Sequence, residues 1–225
     1  GLIGALMPQI IGSGLSKRIQ EIEKKYGKSD LRTALTISLE VVQEKFCKFD
    51  DKIKAMEAGI RVGLAYLTMG VVSSPLEGFV ELKLKKRKDG KEYFCLMYSG
   101  PIRSAGGTVG ALSVVLADHI RKEMGYYVYD ATEEETRRMV TELYDYHERI
   151  TNLQYLPSEK EIFFLVKSLP VQISGDPSEK IEVSNYKDLE RIETNRIRSG
   201  ACLVLGECVA QKASKVWNQI SKISE

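Results

Sequence analysis

The spacing of apolar residues changes once along the chain, and this change restricts the fold more than any other feature. In the first third of the sequence, apolar side chains recur every three or four residues, which predicts helices at 15–26, 31–46 and 53–67. Apolar and charged residues then alternate over 80–85, Asp89-Gly90 supplies a tight turn, and an apolar run returns. The sequence therefore predicts an α+β fold in which a helical layer precedes a β-hairpin.

Two capping boxes mark helix starts in the second half of the chain: Thr132 with Glu135, and Ser158 with Glu161. The remaining pattern predicts a helix after residue 108, helices from these caps to residues 150 and 170, short strands at 170–174 and 180–184, and a final helix at 200–220.

A soft domain boundary is predicted near residues 73–75. It divides a helical N-terminal layer, residues 1–73, from an α+β domain, residues 74–225. Because no low-complexity linker separates the two parts, we expect one continuous body. The chain starts with Gly1 and stops straight after a helical pattern, so we interpret it as a piece of a longer protein.

Composition and charge limit the possible functions. The sequence has 33 Lys and Arg against 31 Asp and Glu, a net charge of +2, so any basic function must be local. No apolar run approaches the roughly 18–20 residues that a membrane span needs, and residues 1–14 lack the charged leader of a signal peptide. We therefore expect a soluble protein without a membrane partner.

The residue types that bind metals or carry catalysis are present but scattered. Cysteines stand at positions 47, 95, 202 and 208 without a C-x-x-C pair and among apolar neighbours, which favours reduced core thiols over metal ligands or disulfides. His147 lies on an apolar helix face, which favours a buried, hydrogen-bonded histidine over a catalytic base. The carboxylates at 50–51 and 133–135 are interpreted as loop and first-turn residues. No catalytic or metal-binding set is predicted.

The most informative segment lies between the hairpin and the next helix. Its residues are Gly100, Pro101, Ile102, Arg103, Ser104, Ala105, Gly106, Gly107 and Thr108. So many glycines are costly unless the backbone approaches something closely, and helix N-terminal amides beside an arginine suit a phosphate. The alternative is a turn whose glycines only let helix and sheet pack closely. The segment differs from a P-loop, because five residues separate Gly100 from Gly106 and Gly107 stands where that motif needs lysine.

A second segment is similar to this loop, since Ile197-Arg198-Ser199 precedes an apolar helix as Ile102-Arg103-Ser104 does. Chance similarity is one interpretation. The other is that both present an arginine to one phosphate backbone. The polar residues Asn195 and Arg196 stand just before the second segment and suit sugar, base-edge or subunit contacts.

Basic residues cluster on the hairpin, and they include Lys85, Lys86 and Lys88. A solvated, charge-protected sheet edge and a phosphate-facing rim both explain them. The full set of candidate DNA contacts is Gly100, Pro101, Ile102, Arg103, Ser104, Gly106, Gly107, Thr108, Asn195, Arg196, Arg198, Lys85, Lys86 and Lys88.

Four stretches of the sequence resemble the large subunit of archaeal family D DNA polymerase. They are SPLEG at 74–78, YSGPIRSAGGT at 98–108, LQYLPSE at 153–159 and ETNRIRSG at 193–200. They follow one another with similar spacing, and the similarity extends to residues 211–213 and so covers nearly the whole chain.

The resemblance implies a heterodimeric replicative polymerase in the cytoplasm of an archaeon, with a small subunit that carries a 3′–5′ exonuclease. It implies primer-template DNA, the small subunit and the remainder of the large subunit as partners. The polymerase site, which uses Mg²⁺ or Mn²⁺, would lie farther along the large subunit, so this chain alone is expected to need no cofactor and to be inactive. The resemblance also implies a modified KH-like module, although no G-x-x-G joins the helices around Gly125.

The sequence therefore leaves three functions open. The first is a module that positions primer-template DNA. The second is an assembly scaffold that contacts the exonuclease subunit or other parts of the large subunit without touching DNA. An autonomous nucleotide-binding enzyme is the third, and the missing P-loop lysine counts against it.

Overall fold

The structure is a computed structural model that describes residue 10 and residues 12–68 and 74–223. Residues 1–9, 11, 69–73 and 224–225 lie outside the described part. Most of the opening stretch at residues 1–14 and part of the predicted boundary at residues 73–75 therefore lie outside the described residues. The division into two domains stays a prediction.

Three helices form the N-terminal layer: α1 (Leu15–Tyr26), α2 (Leu31–Val42) and α3 (Lys52–Leu67). Aspartates begin two of them, because the Asp30 side chain accepts from the amide of Arg32 and the Asp51 side chain from that of Lys54. Helix α2 ends four residues earlier than its apolar spacing predicts. The backbone soon reaches a left-handed conformation at Glu44, with φ of 59°, which a helix cannot contain.

The hairpin has the predicted form. A short helix α4 (Ser74–Gly78) leads into β1 (Phe79–Lys86), which pairs antiparallel with β2 (Glu92–Tyr98), with Leu82 opposite Leu96. The turn contains Gly90 with φ of 83°, a conformation that glycine adopts without steric cost. The predicted hairpin is confirmed.

The rest of the chain packs around this hairpin. It contains α5 (Gly107–Glu123), α6 (Glu133–Arg149), α7 (Glu159–Ser168), β3 (Gln172–Gly175), α8 (Ser199–Leu203) and α9 (Ala213–Ser221). Strand β3 adds parallel to β2, so β2 is the central strand of a three-stranded sheet. Both predicted helix starts are confirmed, with a complete capping box at Thr132 and a side-chain cap at Ser158. The α+β fold class is confirmed, whereas the KH-like module stays a prediction.

Two predictions for the last third of the chain are wrong. Residues 180–184 form no strand, because only Glu182 bridges to Arg196 and the amide of Ser184 donates to the carboxylate of Asp145 instead of extending the pairing. The final helix is not uniform either. Between α8 and α9, a wider π-helical segment (Val204–Ala210) interrupts it.

The main core lies between the sheet and helices α3, α5, α6 and α8, and a smaller apolar cluster joins α1, α2 and α3. Every residue of β2 from Tyr93 to Tyr98 is buried, so this strand is covered on both faces. None of the helices in the described ranges is both long and apolar enough to cross a bilayer.

Candidate phosphate-binding cleft

The glycine loop turns the chain from the sheet into helix α5. Residues 100–105 form a 3₁₀ turn, Gly106 follows with φ of 85°, and α5 begins at Gly107. Among the residues that the structure describes, no side chain caps this end of α5, and its first turn carries no acidic residue. The amides of the first helical turn therefore keep the partial positive charge that attracts anions.

A cleft of about 210 Å³ opens beside this helix end. Its walls come from the glycine loop, from the segment after α6, and from the π-helical segment with the residues that follow it. They are Ile102, Arg103, Gly106, Gly107, Gln154, Leu203, Glu207, Cys208, Gln211 and Lys212. The cleft thus contains two cations, Arg103 and Lys212, and one carboxylate, Glu207.

The carboxylate is held mainly by a backbone amide. Glu207 Oε2 accepts from the amide of Gln154 at 2.7 Å, while Arg103 Nη2 lies 3.5 Å from the same oxygen and 3.5 Å from the carbonyl of Asn152. Contacts of this length to arginine are weak. Arg103 is 37% exposed and its Nε and Nη1 have no hydrogen-bond partner in the described part of the chain, so it retains donors for an external anion.

The glycines of the loop have different roles. A Cβ at Gly107 would collide with the carbonyl oxygen of Glu207, and one at Gly110 with the sulfur of Cys208, so these two let α5 pack against the π-helical segment. A Cβ at Gly106 would have no described atom within 4 Å, and this residue is glycine because of its positive φ. Close packing therefore accounts for Gly107, while the anion hypothesis still applies to the first-turn amides of α5 and to Arg103.

The other residues of the loop are placed differently. Ile102 is fully buried in the core, Pro101 and Ser104 are exposed, and Thr108 is half-buried. A Cβ on Gly100 would come within 3.6 Å of Ser199 Oγ, an ordinary contact.

Arg198, the counterpart of Arg103 in the second segment, is buried with 1% exposure. Its Nε and Nη2 donate to the two oxygens of Glu142 at 3.0 and 2.8 Å, and its Nη1 donates to Ser174 Oγ at 2.9 Å. A second buried arginine, Arg138, donates to Glu142 at 2.9 Å. The geometry thus gives Arg198 core partners and no exposed face for a phosphate backbone.

The buried pair lowers the pKa of Glu142. Burial by itself would raise the pKa of this carboxyl, but the charges and hydrogen bonds of Arg198 and Arg138 outweigh burial and hold it below its ordinary value. Glu142 is therefore ionised at neutral pH.

The neighbouring polar residues also have partners. Arg196 Nε donates to the carbonyl of Glu179 at 2.6 Å, and the Asn195 amide exchanges two hydrogen bonds with Asp188. Within the described residues, the three candidate arginines share no partner, so the structure does not join them around a common site.

The hairpin lysines separate into two kinds. Lys85 is 12% exposed, and its ammonium contacts the carboxylate of Glu193 and donates to the carbonyl of Arg191 at 2.9 Å. Lys86 and Lys88 are exposed. Of the three candidate lysines, Lys86 and Lys88 form no ion pair within the described residues and are therefore free to contact DNA.

Sequence reasoning missed Arg191, Glu207 and Lys212. Arg191 is buried beside the stacked rings of Tyr93 and Tyr129 and donates to both carboxylate oxygens of Glu135 at 2.8 and 2.7 Å. The sequence marks Glu135 as part of a capping box, but its partner Arg191 lies 56 residues away, and no local pattern indicates this contact. Glu207 and Lys212 lie in an apolar helical pattern whose cleft face depends on the π-helical segment.

The cysteines and histidines lie mostly in structural positions. Cys95, Cys202 and Cys208 are buried free thiols, and burial raises the pKa of Cys208 to about 12, whereas Cys47 is only half-buried. His147 accepts from the amide of Leu153 at 2.9 Å, so its predicted hydrogen bond is confirmed, although it is only half-buried. Among the described residues, no group of three His, Cys, Asp or Glu could hold a metal ion.

The family profile and the related proteins that match this chain carry the same name. The profile of the family described as "DNA polymerase II large subunit DP2, N-terminal" matches residues 6–225. A protein named DNA polymerase II large subunit from Nanoarchaeum equitans is 50% identical over 98% of this chain and 18% of its own length. Proteins of the same name from Methanosarcina barkeri and Thermococcus kodakarensis are 46% and 42% identical over 94% and 93% of the chain.

The chain spans only a small part of these relatives, namely 18% of the Methanosarcina barkeri protein and 12% of the Thermococcus kodakarensis protein.

Proposed function

Because this chain belongs to the family of archaeal DNA polymerase II large subunits and corresponds to their N-terminal domain, we propose that it binds the phosphate backbone of primer-template DNA and positions it for the polymerase. The observation that carries this proposal is the cleft at the start of α5. There an uncapped helix end lies beside two cations, Arg103 and Lys212.

This combination suits a phosphate oxygen for two reasons. The first-turn amides of α5 and the helix dipole attract negative charge, and Arg103 supplies a planar fork of donors. Within the described part of the chain, Lys212 forms no ion pair, so its ammonium is free to approach the same anion. Glu207 is bound by the Gln154 amide and so competes only weakly for Arg103.

We further propose that synthesis takes place in another part of the large subunit, with Mg²⁺ or Mn²⁺, and that a small exonuclease subunit completes the enzyme. The described carboxylates support this division, because Asp51 caps a helix and Glu135 and Glu142 bind arginines. The chain alone should therefore neither extend a primer nor degrade DNA when either metal is supplied.

The test is the affinity for primer-template DNA at two salt concentrations. Arg103→Ala should weaken binding by about tenfold or more, the effect of losing a charge-assisted hydrogen bond of about 1.5–3 kcal/mol. Arg103→Lys should keep only part of the affinity that Arg103→Ala loses, because lysine carries the charge but lacks the planar fork of donors. Lys212→Gln should also weaken binding. Lys160→Gln, which changes an exposed lysine on α7, is the matched control and should bind normally.

Normal binding by both Arg103→Ala and Lys212→Gln would refute the proposal. Thermal unfolding measured in parallel distinguishes weaker DNA binding from a damaged fold. We expect little change in the unfolding temperature of Arg103→Ala, because this side chain is partly exposed and weakly bonded.

The second candidate function is an assembly scaffold for the exonuclease subunit or the remainder of the large subunit. It is favoured by the burial of Arg198 and by close packing at Gly107 and at Gly200, where a Cβ would collide with the carbonyl oxygen of Tyr98. These two glycines therefore have an architectural role. A scaffold predicts negligible DNA binding at any salt concentration, whereas phosphate binding predicts an affinity that falls steeply with salt.

A further inference from the structure

An exposed tyrosine lies beside the outer end of the hairpin, away from the cleft. Tyr127 is 44% exposed, and Lys91 Nζ lies 4.3 Å from the centre of its ring. The guanidinium of Arg87 lies 5.6 Å from the same centre. Neither the glycine loop nor the buried arginines account for an aromatic ring in this position.

The backbone around Tyr127 is held in place by the hairpin. The amide of Tyr127 donates to the carbonyl of Glu92 at 3.0 Å, and Arg87 Nη1 donates to the carbonyl of Val128 at 2.8 Å. The amide of Lys88 donates to Asp130 at 2.9 Å. A ring presented by a fixed backbone binds a flat ligand with little loss of conformational entropy.

The charge around the ring is positive. Residues 86–92 contain four cationic side chains and two carboxylates. One of these carboxylates, Asp89, contacts Arg87 at 3.2 Å. Lys91 is exposed and forms no ion pair within the ranges that the structure describes, so its ammonium can leave the ring and meet a phosphate.

From this geometry we propose that Tyr127 is a stacking platform for an unpaired nucleobase of single-stranded DNA, with Lys91 and Lys88 contacting the adjoining phosphates. An exposed aromatic ring flanked by cations is the combination that single-strand-binding surfaces use, because every base has a face that can stack. Bases inside a duplex are already stacked, so this surface favours a single strand. The proposal deepens the proposed function and rests on it for the class of ligand.

The first experiment needs no variant. The unmodified protein is titrated with a fluorescent oligothymidylate of about 12 nucleotides and with an abasic strand of the same length, which keeps the phosphates and removes the bases. The base-bearing strand should bind at least about fivefold more tightly, the lower bound for one stacked base. Equal affinity for the two strands would overturn the proposal.

The second experiment separates the ring from the charges. Tyr127→Ala should lower the affinity for the oligothymidylate by about fivefold or more, while the salt dependence of that affinity stays the same. The variant should bind the abasic strand as tightly as the unmodified protein does. Tyr127→Phe should bind normally, because it keeps the ring. Lys91→Gln should instead reduce the slope of log affinity against log salt by about 0.7, the value for one phosphate contact on a single strand.

The matched control is Phe164→Ala, which removes another exposed aromatic ring, 70% exposed, on helix α7. It should not change DNA binding, and a loss equal to that of Tyr127→Ala would count against a specific platform. Should Tyr127→Ala leave oligothymidylate binding unchanged while Arg103→Ala weakens primer-template binding, the stacking proposal fails and the proposed function stands. If the unmodified protein binds neither the oligothymidylate nor the primer-template, both the stacking proposal and the proposed function are refuted.

Discussion

Arg198 binds both carboxylate oxygens of Glu142 from a distance of 56 residues along the chain, and both side chains are fully buried. Arg138 on the same helix as Glu142 adds a second positive charge. This cluster ties the segment before α8 to the middle of α6. Two arginines and one glutamate leave the cluster with an excess positive charge, so Glu142 is essential to it.

Arg198→Ala should therefore cost stability. Glu142 keeps Arg138 but loses both side-chain hydrogen bonds from Arg198, Ser174 loses a donor, and the removed side chain leaves a cavity. We expect a loss of about 2–5 kcal/mol in the free energy of unfolding, measured by denaturant titration. Arg196→Ala, two residues earlier, is the control. Its exposed side chain donates, within the described ranges, to one backbone carbonyl, so the loss should stay below about 1 kcal/mol. A stable Arg198→Ala protein with weakened DNA binding would instead support a phosphate contact.

Acid should weaken the fold through Glu142 and Glu135. Burial would raise the pKa of each carboxyl, but arginine contacts outweigh it and lower the pKa below the ordinary value of 4.5. A group with a lowered folded-state pKa stabilises fully above its unfolded pKa, and this contribution is lost as the pH falls through the folded pKa. The free energy of unfolding should therefore decrease as the pH drops below about 4.5.

Glu135→Gln tests this mechanism without removing the helix cap, because glutamine also completes a capping box. The variant should lose about 1.5–3 kcal/mol at neutral pH, since Arg191 loses a charged acceptor. Its stability should depend less on acid than that of the unmodified protein. Parallel pH profiles for the two proteins would show that the Arg191 contact does not contribute to acid sensitivity.

Gly107→Ala should destabilise the protein by about 1–3 kcal/mol, because the added methyl group collides with the backbone carbonyl of Glu207. Gly100→Ala is the comparison within the same loop, as its Cβ would come no closer than 3.6 Å to Ser199 Oγ. Thermal unfolding of the two variants measures the difference. Equal midpoints would mean that α5 and the π-helical segment can move apart at little cost.

The hairpin lysines should divide by their burial. Lys86→Gln with Lys88→Gln should leave the unfolding temperature unchanged and reduce the salt slope of duplex binding by about 0.9 for each phosphate that a lysine no longer neutralises. Lys85→Gln should mainly lower stability, because its ammonium contacts Glu193 and the carbonyl of Arg191. An unchanged slope in the double variant would identify Lys86 and Lys88 as part of a solvated sheet edge.

Local signals in the sequence determined most of the elements. The change in apolar spacing, the Asp89-Gly90 turn and the capping residues Thr132 and Ser158 each act within a few residues of one another, so a helix start or a hairpin could be predicted without the rest of the chain. The wrong strand at 180–184 shows the limit of this approach. Whether a segment forms a strand depends on which acceptors its backbone amides find, and the amide of Ser184 donates to the carboxylate of Asp145 on α6.

Tertiary structure alone decided which of two similar segments faces solvent. Ile102-Arg103-Ser104 and Ile197-Arg198-Ser199 are equivalent as sequence, yet Arg103 borders an open cleft while Arg198 lies in the core. The physical reason is the position of Glu142, because an arginine is buried only where a carboxylate balances its charge and its desolvation. The packing of α6 brings that carboxylate to Arg198, and this contact cannot be predicted from the spacing of residues along the sequence.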